Sequence, residues 1–284
     1  MTSPRRYRIR AMTGREVATA IEWAAAEGWN PGLHDAACFH AADPGGFLMG
    51  LLDDEPVATI SVVKYGASFG FLGLYIVKPE HRGQGYGLQL WNAGLAYLAP
   101  RTIGLDGVVA QQANYRDSGF ELAYRNIRYQ GTGGAHVCSD PRIVPLSSRP
   151  FDEVNAYDRL FFPADRPIFL KCWIRQPQST ALGILHNGKL AGYGVIRAAR
   201  IGYKIGPLFA DDPDLAEALF NGLAACVPDN DAIYLDTPET NPAGAALAGR
   251  HGMAVVFETA RMYAGRAPDV PVRRLFGVTT FELG

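Results

Sequence analysis

The sequence predicts an α/β (α+β) fold that occurs twice along the chain. Between residues 69 and 98 a strand-like apolar run leads through a glycine-rich loop into a helix-like pattern. The second half repeats the pattern of the first half at an offset of 133 residues. A chain of 284 residues is also long enough for two domains of about 130 to 150 residues each.

The first half begins with a predicted strand and helix. Tyr7–Ala11 alternates as a strand does. Thr13 and Glu16 have the spacing of a capping box, which opens a helix with Val17, Ile21 and Ala24 on one face. A turn-rich stretch with many functional side chains follows at residues 29–35 (WNPGLHD).

A glycine-rich loop at residues 82–87 (RGQGYG) lies between a second strand and a second helix. Phe69–Val77 is aromatic and β-branched, which predicts a largely buried strand. After the loop, apolar residues recur at helical spacing, which predicts that they form one buried face: Leu88, Trp91, Leu95 and Leu98.

This placement predicts a site for a pyrophosphate. Glycines allow the backbone to approach an anion closely, and the free N–H groups of the first helical turn point at it. Arg82 adds a forked cation. A P-loop is excluded because the loop contains no lysine, and a dinucleotide fingerprint is excluded because the spacing is G-x-G-x-G.

Four pieces in a fixed order carry a family resemblance. The pattern R-x-x-G-x-G follows a strand that ends YIVKPEH. A strand at 103–109, a short helix with Tyr115 and a last strand at 122–129 come next, and Tyr115 and Gly119-Phe120 have the spacing Y-x-x-x-G-F. With these pieces the first half resembles the GNAT acetyltransferase superfamily.

The resemblance implies a fold, a co-substrate and a catalytic residue. Each domain is expected to be a mixed, mostly antiparallel sheet flanked by helices. Tyr115 is the implied acid that protonates the departing thiolate. Backbone N–H groups near Val77 are expected to stabilise the oxyanion and to pair with pantetheine. Acetyl-CoA is the expected co-substrate, and the residues expected to bind it are Ile76, Val77, Arg82, Gly83, Gln84, Gly85, Tyr86 and Gly87.

The general base stays open at this point. An amine acceptor is an ammonium ion at neutral pH and must lose a proton before it attacks a thioester. Many relatives keep a glutamate on the strand before the loop, but Phe69–Val77 has no carboxylate. Asp106 and Asp35 are the nearest substitutes, with water relays as a third route, and Asp106 also suits a structural role because Asp236 repeats it.

The acceptor side is expected at residues 29–35. In the resembled fold the connection after the first helix lines that side of the cleft, so we expect Trp29 and Asp35 to bind the acceptor. The W-N-P-G-x-x-D pattern also resembles a subset of GNAT proteins with a second, degenerate GNAT domain. His34, Asp35 and His40 match no metal-ligand spacing, so no metal is expected.

The two halves align in several places. Residues 52–63 match 185–196 without gaps, each as strand, turn and strand, and residues 103–106 match 233–236. We predict domains at 1–135 and 140–284, with a Gly- and Pro-containing linker at 131–141.

The second half lacks the glycine loop. Residues 211–216 (DDPDLA) take its place, with Asp212 as the predicted N-cap and Pro213 at the first helical position. Carboxylates there repel a pyrophosphate, so we expect acyl-CoA binding in the first half alone. The second half is expected to pack on the first and to close one side of the acceptor pocket.

Composition and cysteine usage limit the partners and the cellular location that the sequence predicts. A net charge of −1 disfavours a nucleic acid or a membrane surface as partner. No apolar run approaches the roughly 20 residues that a membrane span needs, and no signal peptide is evident, which predicts a cytoplasmic protein. Cys38, Cys138, Cys172 and Cys226 are far apart, which predicts buried, reduced thiols and no zinc site.

The sequence therefore predicts an N-acetyltransferase that acts on a small-molecule amine in a ternary complex, as a monomer or homodimer. A protein lysine or N-terminal acetyltransferase is one alternative. A noncatalytic acyl-CoA-binding or sensing protein is the other, because the strand glutamate is absent.

Overall fold

The computed structural model describes residues 5–134 and 140–284. The strands of the first half are β1 Tyr7–Ala11, β2 Phe47–Leu52, β3 Glu55–Tyr65, β4 Phe69–Val77, β5 Thr102–Val108 and β6 Glu121–Thr132. Those of the second half are β7 Ile143–Pro145, β8 Ser179–His186, β9 Lys189–Ala198, β10 Tyr203–Ala210, β11 Ala232–Pro238, β12 Ala254–Ala264 and β13 Leu275–Gly277. The helices are α1 Gly14–Ala26, α2 Asp35–Ala42, α3 Tyr86–Leu98, α4 Gln112–Asp117, α5 Phe151–Asp158, α6 Pro167–Trp173, α7 Pro213–Ala224 and α8 Pro242–Arg250.

The strands of the described residues join into one sheet in the order β1-β2-β3-β4-β5-β12-β6-β11-β10-β9-β8-β7, with β13 beside β10. The sheet is mostly antiparallel, and the pairs β4–β5 and β10–β11 are parallel. The predicted mixed sheet flanked by helices is confirmed. Its continuity across both halves is a feature that the sequence pattern did not predict.

The two halves exchange their last long strands. β12 lies between β5 and β6, and β6 lies between β12 and β11. The exchange brings together the partners of two buried ion pairs. Arg261 of β12 pairs with Asp106 of β5, and Arg128 of β6 pairs with Asp236 of β11. The predicted domains at 1–135 and 140–284 correspond to the two copies of the sequence repeat. Each copy nevertheless contributes a strand that hydrogen-bonds to strands of the other copy. Residues 135–139 of the predicted linker lie outside the described residues.

Each half contains a parallel strand pair that splays apart. β4 pairs with β5 over residues 69–72, and β10 pairs with β11 over residues 203–205. In the second half β13 enters the gap, where it pairs with β10 and where Val278 N–H donates to Asp236 O of β11. The carboxyl ends of β4 and β5 instead border a cavity.

Local sequence signals match the structure in most elements. Thr13 and Glu16 form both hydrogen bonds of the capping box of α1. Asp212 caps α7, accepting from Leu215 N–H at 2.9 Å, with Pro213 as the first helical residue. These predictions are confirmed because caps depend on residues within one turn.

The predicted buried face of α3 is partly wrong. Leu88 is 62% exposed, whereas Leu90 and Gly94 are buried beside Trp91 and Leu98. A Cβ on Gly94 would lie 2.8 Å from Val62 of β3, so α3 presents its glycine to the sheet. The apolar spacing alone allowed both faces, and close contact with β3 selects this one.

The prediction of reduced, buried thiols is wrong for two cysteines. A disulfide joins Cys38 of α2 to Cys172 of α6, with their Cα atoms 5.3 Å apart. These residues are separated by 134 positions, and packing of α2 against α6 brings them together. Cys226 is exposed, and Cys138 lies outside the described residues.

No helix within residues 5–134 and 140–284 is long and apolar enough to cross a membrane.

Candidate active site

A cavity of about 860 Å³ lies at the splayed ends of β4 and β5. Residues of the glycine loop and Trp29 both border it. The second half also contributes to the wall: Phe257, Thr259, Phe281 and Glu282. The cavity is therefore shared between the two halves.

The glycine loop presents unprotected backbone donors. Gly83 and Gly85 have φ values of 74° and 82°, the left-handed region that favours glycine. Gly85 is the N-cap of α3 and has no side chain to satisfy the first-turn N–H groups. These donors and the positive end of the helix dipole suit an anion.

Arg82 is held at the edge of the loop. Its Nε donates to Val77 O at 2.8 Å, and its Nη2 donates to Glu27 Oε1 at 2.5 Å. The side chain is half exposed, so it can turn toward an anion at the cost of a surface ion pair.

Two loop residues, Gln84 and Tyr86, are not part of the cavity wall. Gln84 Nε2 donates to Glu80 O at 3.0 Å. The carbonyl of Tyr86 accepts from Tyr7 Oη, also at 3.0 Å. Of the other residues predicted to bind acyl-CoA, the cavity wall contains Ile76, Val77, Arg82, Gly83, Gly85 and Gly87.

The cavity edge of β4 is irregular. Leu74 has φ 46°, and the register with β3 shifts between Thr59 and Ser61. Lys78 N–H donates to Val57 O of β3, so by strand alternation the N–H of Val77 points to the opposite edge, which faces the splay. This geometry leaves backbone donors available along the cavity.

Tyr115 lies on α4 with its ring in the cavity wall. The ring stacks on Trp91 with centroids 5.7 Å apart. A Cβ on Gly107 would lie 2.1 Å from the Tyr115 ring, so glycine at 107 makes room for it. Burial, with a smaller contribution from Tyr75, raises the pKa of Tyr115 to about 12, which keeps its hydroxyl protonated at neutral pH.

Asp106 also borders the cavity, but its oxygens are occupied. Arg261 donates to both oxygens, at 2.7 and 2.6 Å, and Asn126 Nδ2 donates to Oδ1 at 2.8 Å. Burial raises the pKa of Asp106, and Arg261 opposes that shift. Asp236 repeats the arrangement with Arg128, as expected of a structural pair.

Asp35 does not reach the cavity, unlike Trp29. Arg197 Nε donates to its Oδ1 at 2.9 Å, and Gly32 N–H donates to its Oδ2 at 2.9 Å. Both charged side chains are buried. The carboxylate therefore faces Arg197 on β9 of the second half, and the structure does not bring it to the acceptor side.

The sequence predicted that the second half closes one side of the pocket, but it did not indicate which residues of that half form the wall. Phe257 and Phe281 add apolar surface beside Trp29. The hydroxyl of Thr259 is buried and has no hydrogen-bond partner among the described residues. No local motif marks these positions, since strand exchange and the path of the last ten residues bring them here.

The described residues contain no cluster of three or more side chains that could hold a metal ion. His34 Nε2 instead lies 3.1 Å from Gln178 Oε1.

Comparisons with known proteins identify both halves. A model described as acetyltransferase (GNAT) family matches residues 15–120, and one described as acetyltransferase (GNAT) domain matches residues 154–277. The holothin acyltransferase of Pseudoalteromonas sp. (strain SANK 73390) is 32% identical over 263 residues, which cover 93% of this chain and 90% of that protein.

Solved structures share the fold. A putative acetyltransferase from Pyrococcus horikoshii gives a TM-score of 0.83 at 22% identity, covering 98% of this chain and 96% of that chain. A tandem GNAT protein from the clavulanic acid biosynthesis pathway gives a TM-score of 0.64 at 15% identity, covering 93% of this chain and 100% of that chain.

Proposed function

The chain belongs to the GNAT family of acyltransferases, and we propose that it transfers an acetyl group from acetyl-CoA to the amine of a small molecule. The observation that carries the proposal is that one cavity is lined by the glycine loop, by Tyr115 and by the aromatic side chains of Trp29, Phe257 and Phe281. Because these groups line the same cavity, donor and amine can meet directly in a ternary complex.

The first half fits the donor. The uncapped N–H groups that follow Gly85 and the half-exposed cation of Arg82 suit a pyrophosphate, and the unpaired edge of β4 suits an amide-containing arm. Bound there, acetyl-CoA supplies the thioester. The chain's own residues hold its anionic end and direct its acyl end toward Tyr115.

Tyr115 suits the role of general acid. Its raised pKa keeps the hydroxyl protonated at neutral pH, and its position on the cavity wall allows it to protonate the departing sulfur. We assign Asp106 to the wall rather than to proton transfer, because Arg261 and Asn126 occupy its oxygens.

The acceptor end favours a small molecule over a protein. Trp29, Phe257 and Phe281 make an apolar enclosure, in which Thr259 offers an unpartnered hydroxyl for one hydrogen bond. The relative that acts on holothin aligns over most of the chain, so holothin is the first acceptor to test.

A thiol-release assay tests the proposal. Acetyl-CoA is supplied with holothin and with a panel of small alkylamines and aromatic amines, and the wild-type protein is expected to release CoA with at least one acceptor. In Tyr115→Phe we expect kcat to fall about 10²- to 10⁴-fold while acetyl-CoA affinity stays the same.

The matched control is Tyr97→Phe. The Tyr97 hydroxyl donates to Asp43 and lies away from the cavity wall, so this variant should keep kcat. Binding of acetyl-CoA without turnover across the panel would contradict the proposal and favour a sensing protein. Turnover with peptide lysines or N-termini alone would favour a protein acetyltransferase.

A further inference from the structure

Glu282 reaches the candidate active site from the far end of the sequence. After β13 the chain crosses β10 and then β4: a Cβ on Gly206 would lie 2.5 Å from Thr279 O, and a Cβ on Gly73 would lie 2.2 Å from Glu282 O. Ser61 Oγ also donates to Glu282 O, at 3.4 Å. Glu282 thus lies against β4, which has no carboxylate among its own residues.

The Glu282 carboxylate has capacity to accept a proton. Glu282 is 3% exposed, and the residue forms part of the cavity wall. Thr280 Oγ1 hydrogen-bonds to its Oε2, and within the described part of the chain no hydrogen bond is made to Oε1 and no cation lies within 4.0 Å. Asp106, in contrast, accepts three hydrogen bonds and pairs with Arg261.

The second half holds the segment that carries Glu282. Arg166 donates to Thr279 Oγ1 at 3.0 Å and to Gly284 O at 3.1 Å, and Asp158 pairs with Arg166. From the first half, Tyr65 Oη donates to Leu283 O at 3.1 Å. These buried contacts on both sides of residue 282 restrict where its carboxylate can lie.

We propose that Glu282 is the general base that removes a proton from the acceptor nitrogen. The inference rests on the proposed acetyl transfer and supplies the base that the sequence left open. It also gives the second half a direct part in the reaction, since that half anchors the segment through Arg166.

Glu282 and Tyr115 carry out the proton transfers of the reaction. The Glu282 carboxylate takes one proton from the acceptor ammonium, which frees the nitrogen lone pair. The C–N bond forms as the C–S bond breaks, and Tyr115 gives its proton to the sulfur. The nitrogen loses its second proton to the Tyr115 oxygen, and Glu282 returns its proton to water.

Two buried cations act on Glu282 at longer range. They are Arg128 of β6 and Lys204 of β10. Arg128 is paired with Asp236, and the Lys204 ammonium has no hydrogen-bond partner among the described residues. The pH profile of acetyl transfer is therefore measured in the full chain, where these charges are present.

The test compares Glu282→Gln with the wild-type protein and with Glu258→Gln. Glu258 is a half-exposed glutamate on β12 that pairs with Arg125, so it controls for loss of a carboxylate elsewhere. In Glu282→Gln we expect kcat/KM for an ammonium acceptor to fall at least about 100-fold. The acid limb of the wild-type pH profile should be absent. Acetyl-CoA affinity and Tm should match the wild type.

The amine panel adds a second readout. The loss in Glu282→Gln should be larger for alkylamines, which are ammonium ions at the assay pH, than for aromatic amines that are already neutral. An acid limb kept in Glu282→Gln but lost in Asp106→Asn would overturn the proposal in favour of Asp106. An equal loss for both amine classes with an unchanged acid limb would also overturn it. Failure of the proposed function is distinguishable, because the wild-type protein itself would then release no CoA.

Discussion

The two halves contain the same splayed pair of parallel strands and use it in different ways. In the first half the gap between β4 and β5 opens into a cavity beside an uncapped helix. In the second half β13 fills the gap between β10 and β11, and Asp212 caps the helix. A repeated fold can thus replace a ligand by a segment of its own chain, and here that segment continues into the site of the other half.

Equivalent positions show how the difference arises. Gly107 of β5 leaves room for the Tyr115 ring, whereas its counterpart Thr237 of β11 donates its hydroxyl to Phe276 O and holds the filling segment. At an offset of 133, Phe71 of β4 corresponds to Lys204 of β10. Small changes at the strand ends therefore separate an open cleft from a closed one.

The largest expected change in stability tests whether the two ion pairs on the exchanged strands are equivalent. Asp106→Asn and Asp236→Asn each leave a buried arginine without its counter-charge, and each should lower the free energy of unfolding by about 3–5 kcal/mol. Urea denaturation of both variants measures this. A cost below about 1 kcal/mol for one of them would show that the two pairs are not equivalent.

The next effect concerns Lys204, which has an apolar counterpart in the first half. Burial, with Arg128 adding to it, lowers the pKa of Lys204 to about 8. Lys204→Met should therefore raise the free energy of unfolding by about 1–3 kcal/mol at pH 7.

The sign of the pH dependence follows from that lowered pKa. Between about pH 8 and the ordinary lysine value of 10.5, the unfolded wild-type chain binds more protons than the folded one, so wild-type stability rises with pH. The advantage of Lys204→Met should shrink across this window. Urea denaturation at pH 7 and pH 9.5 measures the difference, and an advantage that does not change with pH would contradict the assignment.

A carboxylate in the glycine loop should make the first half resemble the second, in which a carboxylate caps the equivalent helix. In Gly85→Asp the side chain can cap the first turn of α3 and repel an anion, so the affinity for CoA should fall about 10- to 30-fold, roughly 1.4–2 kcal/mol. Gly85→Asn is the matched control, since asparagine also tolerates positive φ but carries no charge, and it should lose less. Titration calorimetry with CoA compares them, and equal losses would indicate that capping of the first turn or backbone strain, rather than the charge, causes the effect.

The smallest effect is the reciprocal change. Asp212→Ala removes the cap of α7 and should cost about 1 kcal/mol of stability without altering CoA affinity. Thermal unfolding and the same calorimetry measure both quantities. A gain of a second CoA site would show that the cap, rather than β13, keeps the second half from binding.

The sequence indicated many of the first-half residues that line the cavity and none of the second-half residues that do so. The glycine loop, β4 and Tyr115 follow one another within about fifty residues, so their order along the chain could be read directly. Asp35 was predicted to bind the acceptor, but it pairs with Arg197, which is 162 positions away. Leu88 was predicted to lie on the buried face of α3. The helix instead packs on β3 through a face that includes Leu90 and Gly94.

The sequence by itself determined the features that depend on a few consecutive residues: the capping box at Thr13, the left-handed glycines of the loop and the Asp212 cap. Backbone dihedrals and caps are local, so a short motif specifies them. The tertiary structure decided the exchange of β6 and β12, the Cys38–Cys172 disulfide and the arrival of Glu282 beside Gly73. These contacts join residues more than a hundred positions apart, and the register and packing of the continuous sheet bring them together.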